Sequence, residues 1–539
     1  MRILFTTVIR PFSVENETTT KEINYEALVS NFGKGQANWV PRGLIKEPST
    51  HFIASNLEAY CVVLDHPSMD ELLKELKKGY DILAISFITP YYPKLKHMIE
   101  KLRKHYPEQT IVIGGYGVKT PGVEKLEVDY VCKKEGIQFF SDTFGIKKKD
   151  MQNPVVKCHK NLRFAGFLPT EIFLNPFYLA TGLGCSYGCE FCATSHFWGQ
   201  RFLPLSDAKK IHSDMDKIEK SSHFKPLYMV NQDDFLSSTK RNREIMELNR
   251  KNNNVFNIFC FSSIASITQY TYEELLELGA DVIFIGIETQ YPDDGKGITF
   301  NAKKQVSKQN TKIHELVKGL GEHGISTVGA FILNVPAHTK KTLKSDIEYA
   351  HSFDVSASQF SCMTPYPGTP FFDRIDKEGR LIYDYKKKDF DENSWKYYDG
   401  MTLVYKKEYS QEYAKKMLLY AFKKEFELKG PTVLRMLKNQ FSGYLKYKNS
   451  QNKLLRKRAK MWKKRLSMCI PIVYAAANYS GLKLTPHIQQ EMKGFLNELQ
   501  KKIRRINLGD KILARYVRNR MANYDGTFRQ KMERTVYDD

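Results

Sequence analysis

"GLGCSYGCEFCATSHFWG", residues 182–199, organises the reading of the whole chain. It places Cys185, Cys189 and Cys192 within eight residues of a 539-residue sequence that holds nine cysteines. Gly182, Gly184 and Gly188 let the backbone turn tightly and pass close to whatever the sulfurs hold. The apolar run Phe177–Ala180 reads as a strand feeding the loop. A structural zinc site takes four protein ligands, usually as two close pairs, so a fourth would have to come from His196 or a distant thiol. An iron–sulfur cube held by three thiolates is the other reading, and it leaves one iron open to a substrate or cofactor. The residues alone leave both standing.

Downstream of the loop, short apolar strands alternate with amphipathic helices. "PLYMVNQDDFL" reads as a strand ending in Asp233 and Asp234, and "FNIFCFSSIAS" as the next, followed by the helix "TYEELLELG". "ADVIFIGIETQ" ends in Glu288; "GISTVGAFILNVP" and "SASQFSCMTPYPGTPFFDRI" close the run. That order is a partial (β/α) barrel, in which chemistry sits at the C-terminal strand ends. Carboxylates there could equally cap helices or pair with lysines.

Upstream, "MRILFTTVI" reads as a buried first strand rather than an export signal, and residues 11–50 as loop and helix ends. "HFIASNLEA", "SMDELLKELKKG" and "KLKHMIEKLRKHYP" read as helices between the strands "YCVVLD", "YDILAISFIT", "TIVIGGYG" and "VDYVCKKEG". This predicts a parallel sheet covered on both faces, with ligands beyond its C-terminal ends. Those ends carry Asp65, Ser86–Thr89, Gly114–Gly117 and Glu135–Gly136. A glycine turn after a strand is common in any α/β protein and by itself marks a structural loop as readily as a cofactor.

The upstream strands resemble the cobalamin-binding domain fused in front of many radical S-adenosylmethionine (SAM) enzymes, over about residues 50–140. The three-cysteine spacing, with Phe191 before the last cysteine, resembles the radical SAM signature itself. The resemblance spans about residues 50–400. It implies a [4Fe-4S] cluster on Cys185, Cys189 and Cys192, SAM chelated to the open iron, and cobalamin among Ser86, Thr89, Gly114, Gly115, Tyr116, Gly117, Glu135 and Gly136. The cobalt-ligating Asp-x-His-x-x-Gly signature of other cobalamin proteins is absent. "NQDD" stands where the family often has Gly-Gly-Glu, which puts Asn231–Asp234 near SAM; "GIET" puts Glu288 toward its ribose or methionyl part. Asn334 stands where Gly is usual, and "TPYPGTP", with Tyr366, matches a loop at the active-site mouth. Asp233, Asp234 and Tyr366 are the catalytic candidates at that mouth. The expected architecture is α/β: a Rossmann-like B12-binding domain (1–165), a radical SAM partial barrel (173–400) and a basic, mostly helical C-terminal domain (405–539). The expected activity is methylation of an unactivated carbon in a small or lipid-like substrate, with a reducing electron donor such as flavodoxin or ferredoxin. Radical cyclisation, carbon–carbon coupling or rearrangement is the alternative, and a zinc- and RNA-binding scaffold a distant third.

Charge is unevenly placed. The chain carries +23, and residues 421–539 hold 28 Lys/Arg against 9 Asp/Glu. In "QNKLLRKRAKMWKKRL", Leu455, Ala459, Trp462 and Leu466 make one apolar stripe among basic residues. The stripe fits packing on the barrel, peripheral contact with an anionic membrane surface, or a polyanion such as RNA. No nucleic-acid motif accompanies it. With 42% hydrophobic residues the chain has material for large cores, and no run of about 20 apolar residues predicts a spanning helix. The six scattered cysteines suit buried positions in a reducing, cytoplasmic setting.

Overall fold

The computed structural model describes residues 1–9, 39, 46–158, 163–164, 168–169, 171, 175–291, 310–523 and 532–538. The expected loop over 11–50 lies largely outside them. Five parallel strands form the first sheet: β1 (Arg2–Thr7), β2 (Tyr60–Asp65), β3 (Ile82–Ser86), β4 (Thr110–Gly114) and β5 (Tyr130–Val131). Their order is β2-β1-β3-β4-β5, which places a ligand crevice where the connections diverge on either side of β1 and β3. The aliphatic runs of β1 to β4 are buried on both faces, as a sheet sandwiched by helices requires. The helix Met69–Leu76 starts at a capping box made by Ser68 and Glu71.

The second sheet is parallel and strictly sequential: β6 (Pro176–Leu179), β7 (Leu227–Val230), β8 (Ile258–Ser262), β9 (Ala280–Glu288), β10 (Ser326–Leu333) and β11 (Ala357–Cys362). This is the predicted partial barrel. Its cysteine loop leaves from the C-terminal end of β6, the end where barrel chemistry is built.

Helices Gln411–Lys429, Thr432–Tyr447, Lys453–Asn478, Pro486–Lys502 and Leu508–Asn523 make up the C-terminal region. The lipid-facing reading of the basic stripe is corrected here. Leu455, Ala459, Trp462 and Leu466 are all buried, and Trp462 fills the space above Gly324 and Gly443, where an added Cβ would come within 2.6 Å of the indole. Two of the intervening basic residues have protein partners: Arg458 donates to the Phe256 carbonyl at 2.5 Å, and Arg465 pairs with Asp281 at 3.1 Å. The stripe serves the barrel's core.

The C-terminal region is also not self-contained. Strand β12 (Glu533–Tyr537) pairs antiparallel with β2 and becomes the edge of the first sheet. Tyr537 meets His51 Nδ1 at 2.8 Å, and His51 Nε2 lies 3.1 Å from both Asp65 oxygens. The Nε2–H therefore donates to the carboxylate, and the Tyr537 hydroxyl meets the ring's other nitrogen, Nδ1. Lys46 joins Asp65 (3.3 Å) to Glu533 (2.7 Å). Burial pushes the Asp65 carboxyl up, but the His51 bond and the nearby His51 and Lys46 charges outweigh it and hold it below its ordinary value.

Candidate active site

The cysteine loop is held shut at its neck, where Gly182–Leu183 pairs antiparallel with Leu203–Pro204. Gly184 has φ +75, and a Cβ there would sit 2.3 Å from the Arg201 carbonyl, so no other residue fits. Inside the loop, Ser195 Oγ donates to the Cys185 carbonyl (2.8 Å) and accepts from the Gly188 amide (3.2 Å). His196 Nε2 donates to the Cys189 carbonyl at 3.1 Å. Glu190 pairs with Arg374 (3.2 Å), and the Tyr187 hydroxyl reaches Ser263 and Ser266 at the end of β8. All three loop thiols are half-buried, whereas the other six cysteines are buried elsewhere. Burial chiefly, and then Asp233, push the Cys185 thiol up to about 12 and the Cys192 thiol up to about 11. Among the described residues no three His, Cys, Asp or Glu side chains converge to hold a single metal ion.

The "NQDD" turn after β7 divides by alternation. Gln232 and Asp234 point inward and are buried. Gln232 accepts from Thr181 (2.7 Å) and Arg241 (3.1 Å), and Asp234 accepts from Ser262 and Ser266, both at 2.8 Å. Asn231 and Asp233 point outward, Asn231 into the cavity and Asp233 beside Cys185, Cys192 and Tyr116. Asp233 keeps an exposed surface, and the desolvation its neighbours impose, with Asp234 beside it, pushes its carboxyl up to about 6. The catalytic expectation for Asp234 is thereby corrected: its carboxylate holds the ends of β7 and β8 together. On the next strands, Glu288 (φ +67) closes a register shift in β9, and Asn334 (φ +60) follows β10. Backbone at positive φ favours Gly, and Asn tolerates it better than most, which accounts for Asn334 at a position where Gly is usual. Its side chain accepts from Tyr409 (3.1 Å) and donates to the Cys362 sulfur (3.2 Å). The predicted mouth residue Tyr366 lies outside the cavity's lining, beside Gly400, where burial chiefly, and then Asp399 and Cys362, raise its hydroxyl against the lowering effect of the Thr364 bond.

A cavity of about 330 Å³ lies between the first sheet and the barrel. Ser86, Gly114, Gly115, Tyr116, Glu135 and Gly136 of the expected cobalamin set line it, together with Asn231, expected near SAM. Two of the expected residues do not. Thr89 is buried and accepts from Thr120 (3.0 Å), and Gly117 packs against the Phe87 ring, where a Cβ would stand 2.4 Å away. Sequence reasoning missed the opposite wall, formed by the helix Pro48–Ser55 with His51, Phe52 and Ile53, and by Phe197 and Trp198 after the cysteines. Tyr116 stacks edge-on against Phe197 at 5.1 Å, and Phe197 against Trp198 at 5.3 Å, so one aromatic row joins the two sheets. Burial, and then Asp233, push the Tyr116 hydroxyl up to about 12.

No family model matches the chain. Over 252 residues it is 25% identical to an uncharacterized methyltransferase of Pyrococcus horikoshii, covering 45% of this chain and 49% of that protein. It is 24% identical over 212 residues to a hopanoid C-2 methylase of Rhodopseudomonas palustris, covering 37% and 38%. It is 23% identical over 390 residues to an anaerobic magnesium-protoporphyrin IX monomethyl ester cyclase of Cereibacter sphaeroides, covering 63% and 59%. These relatives, at 25% identity or less, and the three-cysteine loop at the end of the first barrel strand make the chain similar to the B12-domain radical SAM family. It spans about half the length of the curated relatives it matches. A solved structure of the methyltransferase TsrM from Kitasatospora setae, with cobalamin and a [4Fe-4S] cluster bound, aligns at TM-score 0.49 and 12% identity over 87% of this chain and 99% of that one. At that score the likeness carries no weight beside the cysteine loop.

The residues present fit the groups this family implies. Three thiols on one tightly wound loop match a cluster with one open iron, and for the zinc reading no group of three or more His, Cys, Asp or Glu among the described residues converges on one metal ion. The cavity offers backbone and small residues at Ser86, Gly114, Gly115 and Gly136 on one side and an apolar wall on the other, which suits a flat ring with polar edges. Its one histidine, His51, has both ring nitrogens engaged.

Proposed function

We propose that this chain is a cobalamin-dependent radical SAM enzyme that methylates an unactivated carbon of a small or lipid-like molecule. The observation that carries this reading is the shared cleft: Leu183, Phe197 and Trp198, which flank the three cysteines, and the glycine-edged strand ends of the first sheet line one cavity. When bound, the cluster with SAM supplies hydrogen abstraction from carbon, and cobalamin supplies the methyl group. Cys185, Cys189 and Cys192 would hold the cluster. Asn231 and Asp233 offer polar atoms to the ammonium of SAM, and Glu288 to its ribose or methionyl part. Ser86, Gly114, Gly115, Glu135 and Gly136 would hold the corrin edge. Tyr116, Phe197 and Trp198 exclude water where the two halves meet. Electrons would come from a small reduced donor such as flavodoxin or ferredoxin.

A second reading, radical ring formation without methyl transfer, is favoured by the similarity to the Cereibacter sphaeroides cyclase, the longest of the alignments above. Anaerobic reconstitution with iron, sulfide and hydroxocobalamin separates the readings. About four irons and one cobalt per chain are expected, and SAM labelled in its methyl group should pass that label to an organic product from a cell extract. Four irons with an unlabelled product would favour ring formation, and zinc alone would overturn both.

A further inference from the structure

The helix Leu508–Asn523 has two apolar faces. Ala514, Val517 and Met521 are buried on the side that packs against Lys453–Asn478. On the other side Leu508, Ile512 and Tyr516 recur at i, i+4 and i+8 and are 73%, 62% and 48% exposed, with Leu513 beside them at 37%. Scattered exposed apolar residues are ordinary, but four on one helix make a patch that a folded core does not need.

The surroundings of the patch say what covers it. Between residues 501 and 520 there are eight Lys/Arg and one acidic residue, Asp510. Asp510 is neutralised by Arg504 at 2.6 and 2.8 Å, so the rim is left cationic. Arg505, Lys511 and Arg515 are exposed around the apolar residues. Aliphatic side chains ringed by cations complement a surface that is apolar below and anionic above, which is the boundary of a phospholipid bilayer carrying acidic headgroups. Single-stranded RNA stacks on aromatic platforms, and Leu and Ile give it none. A second copy of the chain would bring the same positive charge against itself.

We propose that the outer face of helix Leu508–Asn523 docks the enzyme on an anionic phospholipid membrane, Leu508, Ile512 and Leu513 entering the headgroup boundary and Arg505, Lys511 and Arg515 meeting the phosphates. The surface differs from the buried stripe of Lys453–Asn478, and it is independent of the catalytic reading.

The test is sedimentation of the full chain with vesicles of phosphatidylcholine alone or with about 30% phosphatidylglycerol. Binding to the anionic vesicles should exceed binding to the neutral ones by at least about tenfold and weaken with salt. The double substitutions Leu508→Glu/Ile512→Glu and Lys511→Glu/Arg515→Glu should each remove about tenfold or more of that binding, with an unchanged melting temperature because these side chains are exposed. Equal binding to both vesicles, no binding to the anionic ones, or undiminished binding of Leu508→Glu/Ile512→Glu would overturn the proposal. So would light scattering showing a dimer that Leu508→Glu/Ile512→Glu dissociates, or tight binding of an RNA oligonucleotide with none to vesicles.

Discussion

Two adjacent aspartates, alike in sequence, differ because the backbone at the end of β7 alternates. Asp234 is turned into the protein and satisfied by Ser262 and Ser266; Asp233 is turned outward beside Cys185 and Cys192 and has its carboxyl pushed up to about 6. An unfolded Asp titrates near 3.9, so in the cluster-free chain the folded state binds this proton more tightly. Its contribution to stability is fully present below about pH 4 and is lost as pH rises through about 6. Asp233→Asn should therefore melt above the wild type at pH 7.5, and the difference should vanish near pH 4. A variant that melts lower at both pH values would show that Asp233 has a stabilising partner. Cys189→Ala removes one corner ligand, and iron in the reconstituted protein should fall from about four per chain to under one. Retention of iron would show that the cluster is held elsewhere.

Among elements, the cysteine loop and the edge strand β12 carry opposite lessons. The loop's glycines were legible because only glycine relieves a positive φ at a close approach. Gly184→Ala should cost about 1–3 kcal/mol in strain and show in anaerobic reconstitution as a loop that binds iron poorly. Nothing in "ERTVY" marks it as an edge strand that pairs with β2, some 470 residues earlier. Its place depends on long-range pairing, to which periodicity is blind. Tyr537→Phe leaves the buried His51 Nδ1 without its hydroxyl, and should lower stability by about 1–3 kcal/mol. Urea denaturation measures it. An unchanged midpoint would mean that the strand is held by backbone pairing alone.

For the whole molecule, the basic C-terminal region closes both halves. Trp462 enters the barrel's flank over Gly324 and Gly443, and β12 returns to the first sheet. Trp462→Ala opens a large cavity at that joint and should cost about 3–5 kcal/mol, read as a shift in urea midpoint. A loss under about 1 kcal/mol would mean that the neighbouring helices collapse into the space.

Local chemistry was determined by the sequence alone: the three thiols on a glycine-wound loop, the parallel strands with their buried aliphatic runs, the sequential order of the barrel, and the strand ends where Ser86, Gly114, Asn231 and Glu288 stand. Each follows from side-chain period, spacing or backbone freedom within a few residues. Only the tertiary structure decided which of two neighbouring aspartates faces outward, that Thr89, Gly117 and Tyr366 stand outside the cavity, and that helix Pro48–Ser55 forms its far wall. It also decided which of two basic amphipathic helices is buried. Both patterns read alike as sequence, and the difference lies in the surface each helix meets: Lys453–Asn478 finds two glycines that admit a tryptophan, and the outer face of Leu508–Asn523 meets water.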